Sequence, residues 1–277
     1  MASDARQLLD KYGFRAKKSW GQNFLVDEHA YQRIVEATLV EPGDWAIEIG
    51  AGLGTLTSRL AERAPRVVAV ERDRDMVAVL RGELGEDPRV VIEEANALTF
   101  DYIAAATALP RVPAIVGNLP YQIASQILFR LLPARRSLAR IVVMLQKEMV
   151  DRILAPPDSE AYGALSVMMQ MYGRVELVCK VGRGGFLPPP NVDSAVLRLT
   201  PFADGATAAP SADLEWFSVI VHAAFNQRRK TLRNALSTRV TKDLLDVGLR
   251  AADIDGQRRG ETLSVAEFAR LADVLRA

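Results

Sequence analysis

Short apolar runs alternate with amphipathic segments over the N-terminal two thirds of the chain. Five runs have the length and β-branched content of buried strands: WAIEIG, RVVAVE, RVVIEEA, PAIVGN and RIVVMLQ. The segments between them, such as TLTSRLAERA and RDMVAVLRGEL, repeat apolar residues at helical spacing. Strands that alternate with helices pack as a parallel sheet covered by helices. The pattern therefore predicts an α/β domain on a largely parallel sheet.

The pattern changes near Pro201. The runs VELVCKV and SAVLRLT complete the strand-rich region, and FADGATAAPSAD is poor in large apolar residues, as suits a linker. Every later segment has helical periodicity: LEWFSVIVHAAF, RRKTLRNALSTRV, TKDLLDVGL and SVAEFARLADVLRA. We predict an α/β domain over residues 1–201 and a small all-helical domain over residues 202–277.

Composition narrows the class of protein. The chain has 277 residues, of which 49% are hydrophobic, and a net charge of +1. A near-neutral protein can bind nucleic acid only where basic residues cluster. One cysteine allows no internal disulfide, and with two histidines it makes no ordinary structural zinc site, so no metal is predicted. No signal peptide or apolar stretch of about 18 residues is present, which predicts a cytoplasmic protein without a membrane partner.

A glycine-rich turn follows the first predicted strand. It reads AIEIGAGLGTLT, and Gly50 and Gly52 would let the backbone approach a bound nucleotide. Thr55 stands where a dinucleotide fingerprint has its third glycine, and the carboxylate of Glu48 would repel a pyrophosphate. Glu71 ends the second predicted strand, where a carboxylate can accept both ribose hydroxyls. The two glutamates favour S-adenosylmethionine, a nucleoside cofactor with cationic groups and no phosphate.

The segment NLPY follows the predicted strand AIVG, at the edge of the sheet where α/β proteins bind ligands. The amine of adenine is a weak nucleophile because its lone pair is delocalised into the ring. The carboxamide oxygen of Asn118 and a main-chain carbonyl of the turn could accept its hydrogens and turn the lone pair toward a methyl donor. Tyr121 offers a stacking face, and Pro120, after Leu119, fixes the turn. This pattern predicts methylation of an adenine amine.

Several long motifs resemble those of one family, the ribosomal RNA adenine N6-dimethyltransferases of the KsgA type. The motifs cover nearly the whole chain: KKSWGQNFLVD, EIGAGLGTLT, GNLPYQI, LQKEMVDRI, YGALSVM, FLPPPNVDSAVLRL and FNQRRKTLRNAL. The resemblance implies a Rossmann-like domain that binds S-adenosylmethionine, followed by a small helical domain. It also implies the substrate, a pair of adjacent adenines in the hairpin loop near the 3′ end of small-subunit 16S rRNA, each of which is dimethylated.

The resemblance also assigns roles to individual residues. Those expected to bind the cofactor are Gln22, Asn23, Leu25, Gly50, Gly52, Glu71, Asn96 and Asn118. Asn118 to Tyr121 would hold the target adenine, and Phe186 would complete an aromatic sandwich with Tyr121. Asn96 departs from the family, which usually has an aspartate that contacts the cofactor's adenine amine. We expect the asparagine oxygen to accept the same hydrogen bond.

Two basic segments are candidates for RNA contact. No acidic residue occurs between His222 and Arg239, and a helix over this segment would turn Leu232 inward. The basic residues that we expect to contact phosphates there are Arg228, Arg229, Lys230 and Arg233. The N-terminal arm adds Lys17 and Lys18, and Lys147 is a further candidate. We predict a monomer whose partner is the small ribosomal subunit.

Three alternatives remain at this point. The first is the related large-subunit rRNA methylase that confers macrolide resistance, against which Leu119 and the full GQNFL and FNQRRKT motifs argue. The second is a non-catalytic relative that binds RNA as an assembly or transcription factor, which intact Asn118, Tyr121 and Glu71 disfavour. The third is an NAD oxidoreductase, which Glu48 and the missing third glycine disfavour.

Overall fold

The computed structural model describes residues 4–17, 21–203, 207–209 and 213–276. These residues divide into two units. The first contains the described residues up to Val150 together with Glu176–Pro201, and the second contains Asp151–Val175 and the described residues from Phe202 onward. This division differs from the predicted one by assigning residues 151–175 to the second unit. The two functional domains, 1–201 and 202–277, remain a prediction.

The described chain alternates strands and helices, as the sequence pattern predicts. The strands are β1 (Phe24–Leu25), β2 (Ala46–Ile49), β3 (Val67–Glu71), β4 (Val90–Glu94), β5 (Ala114–Asn118), β6 (Arg140–Gln146), β7 (Gly173–Val181), β8 (Phe186–Leu187) and β9 (Ser194–Pro201). The helices are α1 (Ala5–Tyr12), α2 (Glu28–Thr38), α3 (Thr55–Ala61), α4 (Arg74–Leu84), α5 (Tyr102–Thr107), α6 (Ala124–Leu131), α7 (Lys147–Leu154), α8 (Ala164–Tyr172), α9 (Leu214–Asn226), α10 (Leu232–Leu236), α11 (Lys242–Ala251) and α12 (Val265–Val274).

Seven strands form the central sheet in the order β4-β3-β2-β5-β6-β9-β7. The five strands from β4 to β6 are mutually parallel, whereas β9 runs antiparallel to β6. The chain moves outward from β2 through β3 and β4 and then crosses to the other side of β2 with β5. The gap between β2 and β5 is therefore a topological switch point, where ligands of open α/β sheets bind.

The central strands are buried on both faces, which explains their unbroken apolar sequences. Every residue of β2 and β3 is buried. Tyr31 and Ile34 of α2 and Leu60 of α3 share one apolar core with Val116 of β5 and Val142 of β6. The sheet and its helices thus form the predicted Rossmann-like architecture, and they hold the strand ends in fixed positions.

Helix α1 was not among the elements expected from the sequence pattern. Leu8 and Leu9 of this helix are buried in a cluster with Leu53, Met76 and Val79. The helix begins after Asp4, whose side chain accepts a hydrogen bond from the Arg6 backbone N–H, and ends at Gly13 with a φ of 66°. Both capping signals are in the sequence.

The second unit is helical apart from the first residues of β7, as expected for the C-terminal region. Its aromatic core contains Tyr162, Phe225 and Phe268. The ring centroid of Phe225 lies 5.9 Å from that of Tyr162 and 5.8 Å from that of Phe268. The Tyr162 hydroxyl donates to the Leu263 carbonyl oxygen at 2.9 Å, so this buried polar group is satisfied. Among the helices of the described ranges, none is long and apolar enough to cross a membrane.

Candidate active site

A cavity of about 290 Å³ lies in the first unit, beside the carboxyl ends of β2 to β5. Residues 21–25 also line it. The cavity collects the predicted cofactor and adenine residues from five separate segments, namely Gln22, Asn23, Leu25, Gly50, Gly52, Glu71, Asn96, Asn118, Leu119, Pro120 and Tyr121. These residues are up to about a hundred positions apart in the sequence, so the fold brings the predicted site together.

The glycine-rich turn after β2 needs its glycines for backbone reasons. Gly50 and Gly52 have φ values of 71° and 55°, which residues with a Cβ atom rarely adopt. The Gly52 N–H donates to Glu71 Oε2 at 2.9 Å. The turn is therefore tied to the end of β3, and its backbone forms one wall of the cavity.

Glu71 accepts several hydrogen bonds from the backbone. The N–H groups of Arg72 and Asp73 donate to Oε1 at 2.7 Å and 2.8 Å, and Gly52 donates to Oε2. A carboxylate offers about four lone-pair positions, so one position on Oε2 remains available at the cavity. Glu71 is thus fixed in place and can accept a ligand hydroxyl. The expectation that it accepts both ribose hydroxyls remains a prediction.

Glu48 differs from the charged group that the sequence suggested. Its side chain is 2% exposed, and its Oε2 accepts a hydrogen bond from the Thr57 hydroxyl at 2.6 Å. Desolvation by burial, together with the nearby negative charge of Glu71, raises the pKa of Glu48 to about 8. The carboxyl group is therefore mostly protonated at neutral pH. Glu48 is therefore not the fixed anion, expected from the sequence, that would repel a pyrophosphate.

The raised pKa of Glu48 predicts a pH-dependent stability. Between pH 4.5 and about 8 the unfolded chain ionises Glu48 while the folded chain keeps its proton, so stability falls as pH rises. Glu48→Gln removes this penalty. We expect the free energy of unfolding of the variant, relative to wild type, to rise by about 1 kcal/mol for each pH unit between about pH 5.5 and 7.5.

Urea unfolding at a series of pH values measures this difference. Glu62→Gln is the matched control because Glu62 is an exposed glutamate at the end of α3. A constant difference between Glu48→Gln and wild type across this pH range would contradict the prediction.

Asn118 has a defined amide orientation at the end of β5. Its Nδ2 donates to the Asn23 carbonyl oxygen at 3.0 Å, and within the described ranges its Oδ1 has no hydrogen-bond partner. Pro120 accepts a hydrogen bond from the Ile123 N–H at 3.1 Å, which closes the turn. The carbonyl oxygen of Leu119 has no partner among the described residues. Two acceptors, Asn118 Oδ1 and the Leu119 carbonyl, are thus available in the turn.

Tyr121 is anchored by a residue that the sequence analysis missed. Its hydroxyl and the Ser194 hydroxyl are 2.6 Å apart, and Ser194 is fully buried at the start of β9. Burial raises the pKa of Tyr121, so the hydroxyl stays protonated at neutral pH. Ser194 lies in the quoted motif FLPPPNVDSAVLRL, which was the available signal. Its hydrogen bond fixes one end of the Tyr121 ring.

Asp73 is a second residue with a role that was not expected from the sequence. Its buried carboxylate accepts hydrogen bonds from Lys17 Nζ at 2.8 Å and from Gln22 Nε2 at 2.8 Å. Lys17 Nζ also lies 2.6 Å from the Asp75 carboxylate. The side chain of Gln22, which lines the cavity, is thus held by Asp73. The ammonium group of Lys17 forms ion pairs with Asp73 and Asp75. Its predicted RNA contact stays a prediction, and Lys18 lies outside the described residues.

Leu25 and Phe186 face each other in the two-stranded sheet of β1 and β8. Leu25 lines the cavity, whereas Phe186 does not. The Phe186 ring is 3% exposed and belongs to the apolar core that also contains Tyr31 and Val181. The structure therefore places Phe186 behind the cavity wall, and its predicted stacking on the target base remains a prediction.

The predicted basic helix of the second unit is interrupted. Helix α9 ends at Asn226 and α10 begins at Leu232, so Arg229 and Lys230 lie in the connecting turn, which corrects the expectation of a helical face. Leu232 is buried, as expected. All four predicted basic residues are exposed; Arg228 donates to the Glu160 carbonyl oxygen, and Arg233 pairs with Asp246. Their contact with RNA remains a prediction.

Lys147, the remaining basic candidate, lies in the first unit at the start of α7. Its backbone N–H donates to the Asp193 carbonyl oxygen at 2.9 Å. Its contact with RNA remains a prediction.

The described chain contains no cluster of metal ligands. Its histidine, cysteine and acidic side chains form no group of three that could hold an ion.

Comparisons with known proteins agree along nearly the whole chain. Residues 13–277 match a family model described as ribosomal RNA adenine dimethylase. Ribosomal RNA small subunit methyltransferase A of Anaeromyxobacter sp. strain K is 48% identical over 98% of this chain and 97% of its own length. A solved dimethyladenosine transferase from Plasmodium falciparum is 25% identical with a TM-score of 0.76, over 90% of this chain and 95% of that chain. The solved 23S rRNA methyltransferase ErmE is 28% identical with a TM-score of 0.69, over 92% of this chain and 100% of that chain.

Proposed function

The chain belongs to the ribosomal RNA adenine dimethylase family, and from that premise we propose that it dimethylates N6 of two adjacent adenosines in small-subunit rRNA. The substrate would be the hairpin loop near the 3′ end of 16S rRNA, and the methyl donor S-adenosylmethionine. The relative that is 48% identical is named as a small-subunit methyltransferase. Loop adenines are already unstacked, so placing one in the cavity costs little.

The orientation of the Asn118 side chain is the observation that carries this proposal. Since its nitrogen donates to Asn23, its oxygen is the atom left to accept a hydrogen bond in the cavity. The Leu119 carbonyl supplies a second acceptor in the same turn. Two acceptors match the two hydrogens of an adenine amine. Accepting both would draw the nitrogen toward tetrahedral geometry and direct its lone pair for in-line attack.

The residues of the cavity fit S-adenosylmethionine. Glu71 has an acceptor position left for a ribose hydroxyl, and the turn of Gly50 and Gly52 gives the ligand a close backbone approach. When bound, the cofactor would supply an electrophilic methyl group on a sulfonium. No strong base is needed in the chain, because the adenine amine loses its proton only after the new N–C bond has made it cationic. Asn118 and Leu119 hold that amine while the first N–C bond forms.

Tyr121 would stack on the target base. Its ring is held at the hydroxyl end by Ser194, so the aromatic face needs little reorganisation to receive a flat base. Phe186 would have to leave its core position to stack on the other face. The Tyr121 face is therefore the one we assign to the base in this arrangement.

Methyl transfer onto isolated ribosomal subunits tests the function. Small subunits that lack the modification should accept tritiated methyl groups from S-adenosylmethionine, and nucleoside analysis should yield N6,N6-dimethyladenosine. Large subunits are tested in parallel as the comparison substrate. The similarity to a 23S rRNA methyltransferase makes methylation of large-subunit rRNA the second candidate function. Label confined to large subunits would favour the second candidate, and no label on either would support a non-catalytic RNA-binding relative.

The basic turn between α9 and α10, which contains Arg229 and Lys230, leads to a prediction about binding to the small ribosomal subunit. Arg229→Ala/Lys230→Ala should weaken small-subunit binding and lower the slope of log affinity against log salt by about two, roughly one per phosphate contact. Adding Arg228→Ala and Arg233→Ala should lower it further. Cofactor affinity should stay the same, and the apparent KM for subunits should rise.

Subunit binding across a salt series measures the slope, and calorimetry measures cofactor affinity. Arg250→Ala, an exposed arginine of α11, is the control for loss of one charge elsewhere in the unit. If the double variant keeps the wild-type slope, the turn is a solvated surface, and the RNA contact must be sought around Lys17, Lys18 and Lys147.

A further inference from the structure

The side chain of Asn96 presents a hydrogen-bond donor at the cavity. Asn96 follows β4 and lines the cavity. Its Oδ1 accepts a hydrogen bond from the Leu98 backbone N–H at 3.0 Å. Within the part of the chain that the structure describes, its Nδ2 has no hydrogen-bond partner. Since an amide NH₂ group cannot accept a bond from Leu98, the contact fixes the orientation of the amide and identifies Nδ2 as the donor that remains for a ligand.

The local backbone holds this orientation. The N–H groups of Thr99 and Phe100 both donate to the Asn96 carbonyl oxygen at 2.9 Å, so the residues after Asn96 form a tight turn. The bond from Leu98 to the side chain closes an Asx turn inside it. Rotating the amide by half a turn would leave the Leu98 N–H without an acceptor. That loss disfavours the flipped amide.

Asn96 lies next to the carboxylate assigned to the ribose. Strands β3 and β4 are paired in parallel with Glu71 opposite Glu94, and the Ala95 N–H donates to the Glu71 carbonyl oxygen at 2.9 Å. If Glu71 holds a ribose hydroxyl, the attached base extends toward the neighbouring strand end. In an anti nucleoside the six-membered ring, with N3, C2 and N1, lies on the side of C2′ and its hydroxyl, and N7 lies on the opposite side. Asn96 is therefore placed for the N1 edge.

We propose that Asn96 recognises the cofactor's adenine by donating a hydrogen bond from Nδ2 to ring nitrogen N1. The inference rests on the proposed function, because it takes the cofactor to be an adenosine derivative. It reverses the expectation from the sequence, in which the asparagine oxygen accepts from the adenine amine, because among the described residues Nδ2 has no partner whereas one of the two lone pairs of Oδ1 is already bonded to Leu98. An aspartate at position 96 would keep the Leu98 bond with one oxygen and offer the other as an acceptor to the amine.

Calorimetric binding of three ligands tests the direction of this hydrogen bond. The ligands are S-adenosylhomocysteine, its 1-deaza analogue with C–H in place of N1, and its analogue without the 6-amino group. We expect wild type to bind the 1-deaza analogue about 5- to 10-fold more weakly than the parent, the loss of one net hydrogen bond, and the des-amino analogue within about threefold. Asn96→Asp should reverse this order of preference.

Asn234→Asp is the control for the added charge, because Asn234 is exposed and lies in α10 of the other unit. Both residue types at position 96 can accept the Leu98 N–H, so the Asn96→Asp variant should fold, which its thermal unfolding would verify. If wild type tolerates the 1-deaza analogue and rejects the des-amino analogue, the asparagine oxygen faces the base and the proposal is wrong. Identical preferences in wild type and Asn96→Asp would also overturn it. Failure of wild type to bind S-adenosylhomocysteine at all would instead refute the proposed function, and the inference with it.

Discussion

Asn118→Ala is expected to lower kcat for methyl transfer by roughly 10²–10³-fold, as for other enzymes that lose one preorganised polar group at the reacting atoms. In the proposed function the side chain supplies one of two acceptors for the adenine amine, and its oxygen is the atom left to accept because its nitrogen donates to Asn23. An interaction that strengthens as the amine becomes tetrahedral acts on the transition state. The loss should therefore appear equally in kcat and kcat/KM.

Single-turnover methyl transfer onto unmodified small subunits measures this effect, and calorimetry measures cofactor binding. We expect the affinity for S-adenosylmethionine to change little, because most of the residues proposed to contact the cofactor lie on other segments. Gln126→Ala is the matched control, since Gln126 is an exposed residue of the following helix, α6. A near-normal rate for Asn118→Ala would remove the carboxamide from the chemistry, and a large loss of cofactor affinity would assign it to binding instead.

The sequence predicted those parts of the site that depend on one strand and the turn after it. The runs before Gly50, Glu71 and Asn118 are apolar and β-branched, so they indicate buried strands, and parallel strands present their carboxyl ends at one edge. The structure accordingly places Gly50, Glu71 and Asn118 around a single cavity. Periodicity was sufficient because each of these residues is positioned by its own strand.

The parts that the sequence did not predict depend on contacts between distant segments. Nothing in the sequence around Lys17 indicates that its ammonium pairs with Asp73, and a basic arm without acids looks like a phosphate contact. Nothing around Ser194 indicates that it meets Tyr121. The raised pKa of Glu48 is a similar case, because burial is a property of the whole fold. Such pairings follow from tertiary packing, which local patterns do not encode.

Two further differences come from turns. Phe186 precedes a run of prolines, and a turn of this kind does not reveal whether the aromatic ring points to the core or the cavity; in the structure it lies in the core. The basic segment after Asn226 continues a helical spacing, yet the helix ends there and restarts after Thr231. The basic side chains are exposed, as expected, but Arg229 and Lys230 lie in a turn and not on a helix.

Glu71 combines two tasks that a single substitution would disturb together. Its carboxylate fixes the glycine turn through the Gly52 N–H and the start of the next loop through the N–H groups of Arg72 and Asp73. The position left on Oε2 is the one proposed to accept a ribose hydroxyl. A substitution therefore affects both the ligand contact and the shape of the wall, and an experiment on Glu71 must separate them.

Glu71→Ala should weaken S-adenosylmethionine binding by roughly 1.5–3 kcal/mol, about 10- to 150-fold, because hydrogen bonds to a charged carboxylate are lost. Calorimetry with the cofactor and with its 2′-deoxy and 3′-deoxy analogues separates the two tasks. Wild type should bind at least one deoxy analogue more weakly, whereas Glu71→Ala should no longer distinguish it from the parent cofactor. Glu94→Ala, at the paired position of β4, should behave as wild type. If Glu71→Ala still discriminates against the same deoxy analogue, the ribose contact belongs to another residue, and Glu71 serves only to hold the glycine turn.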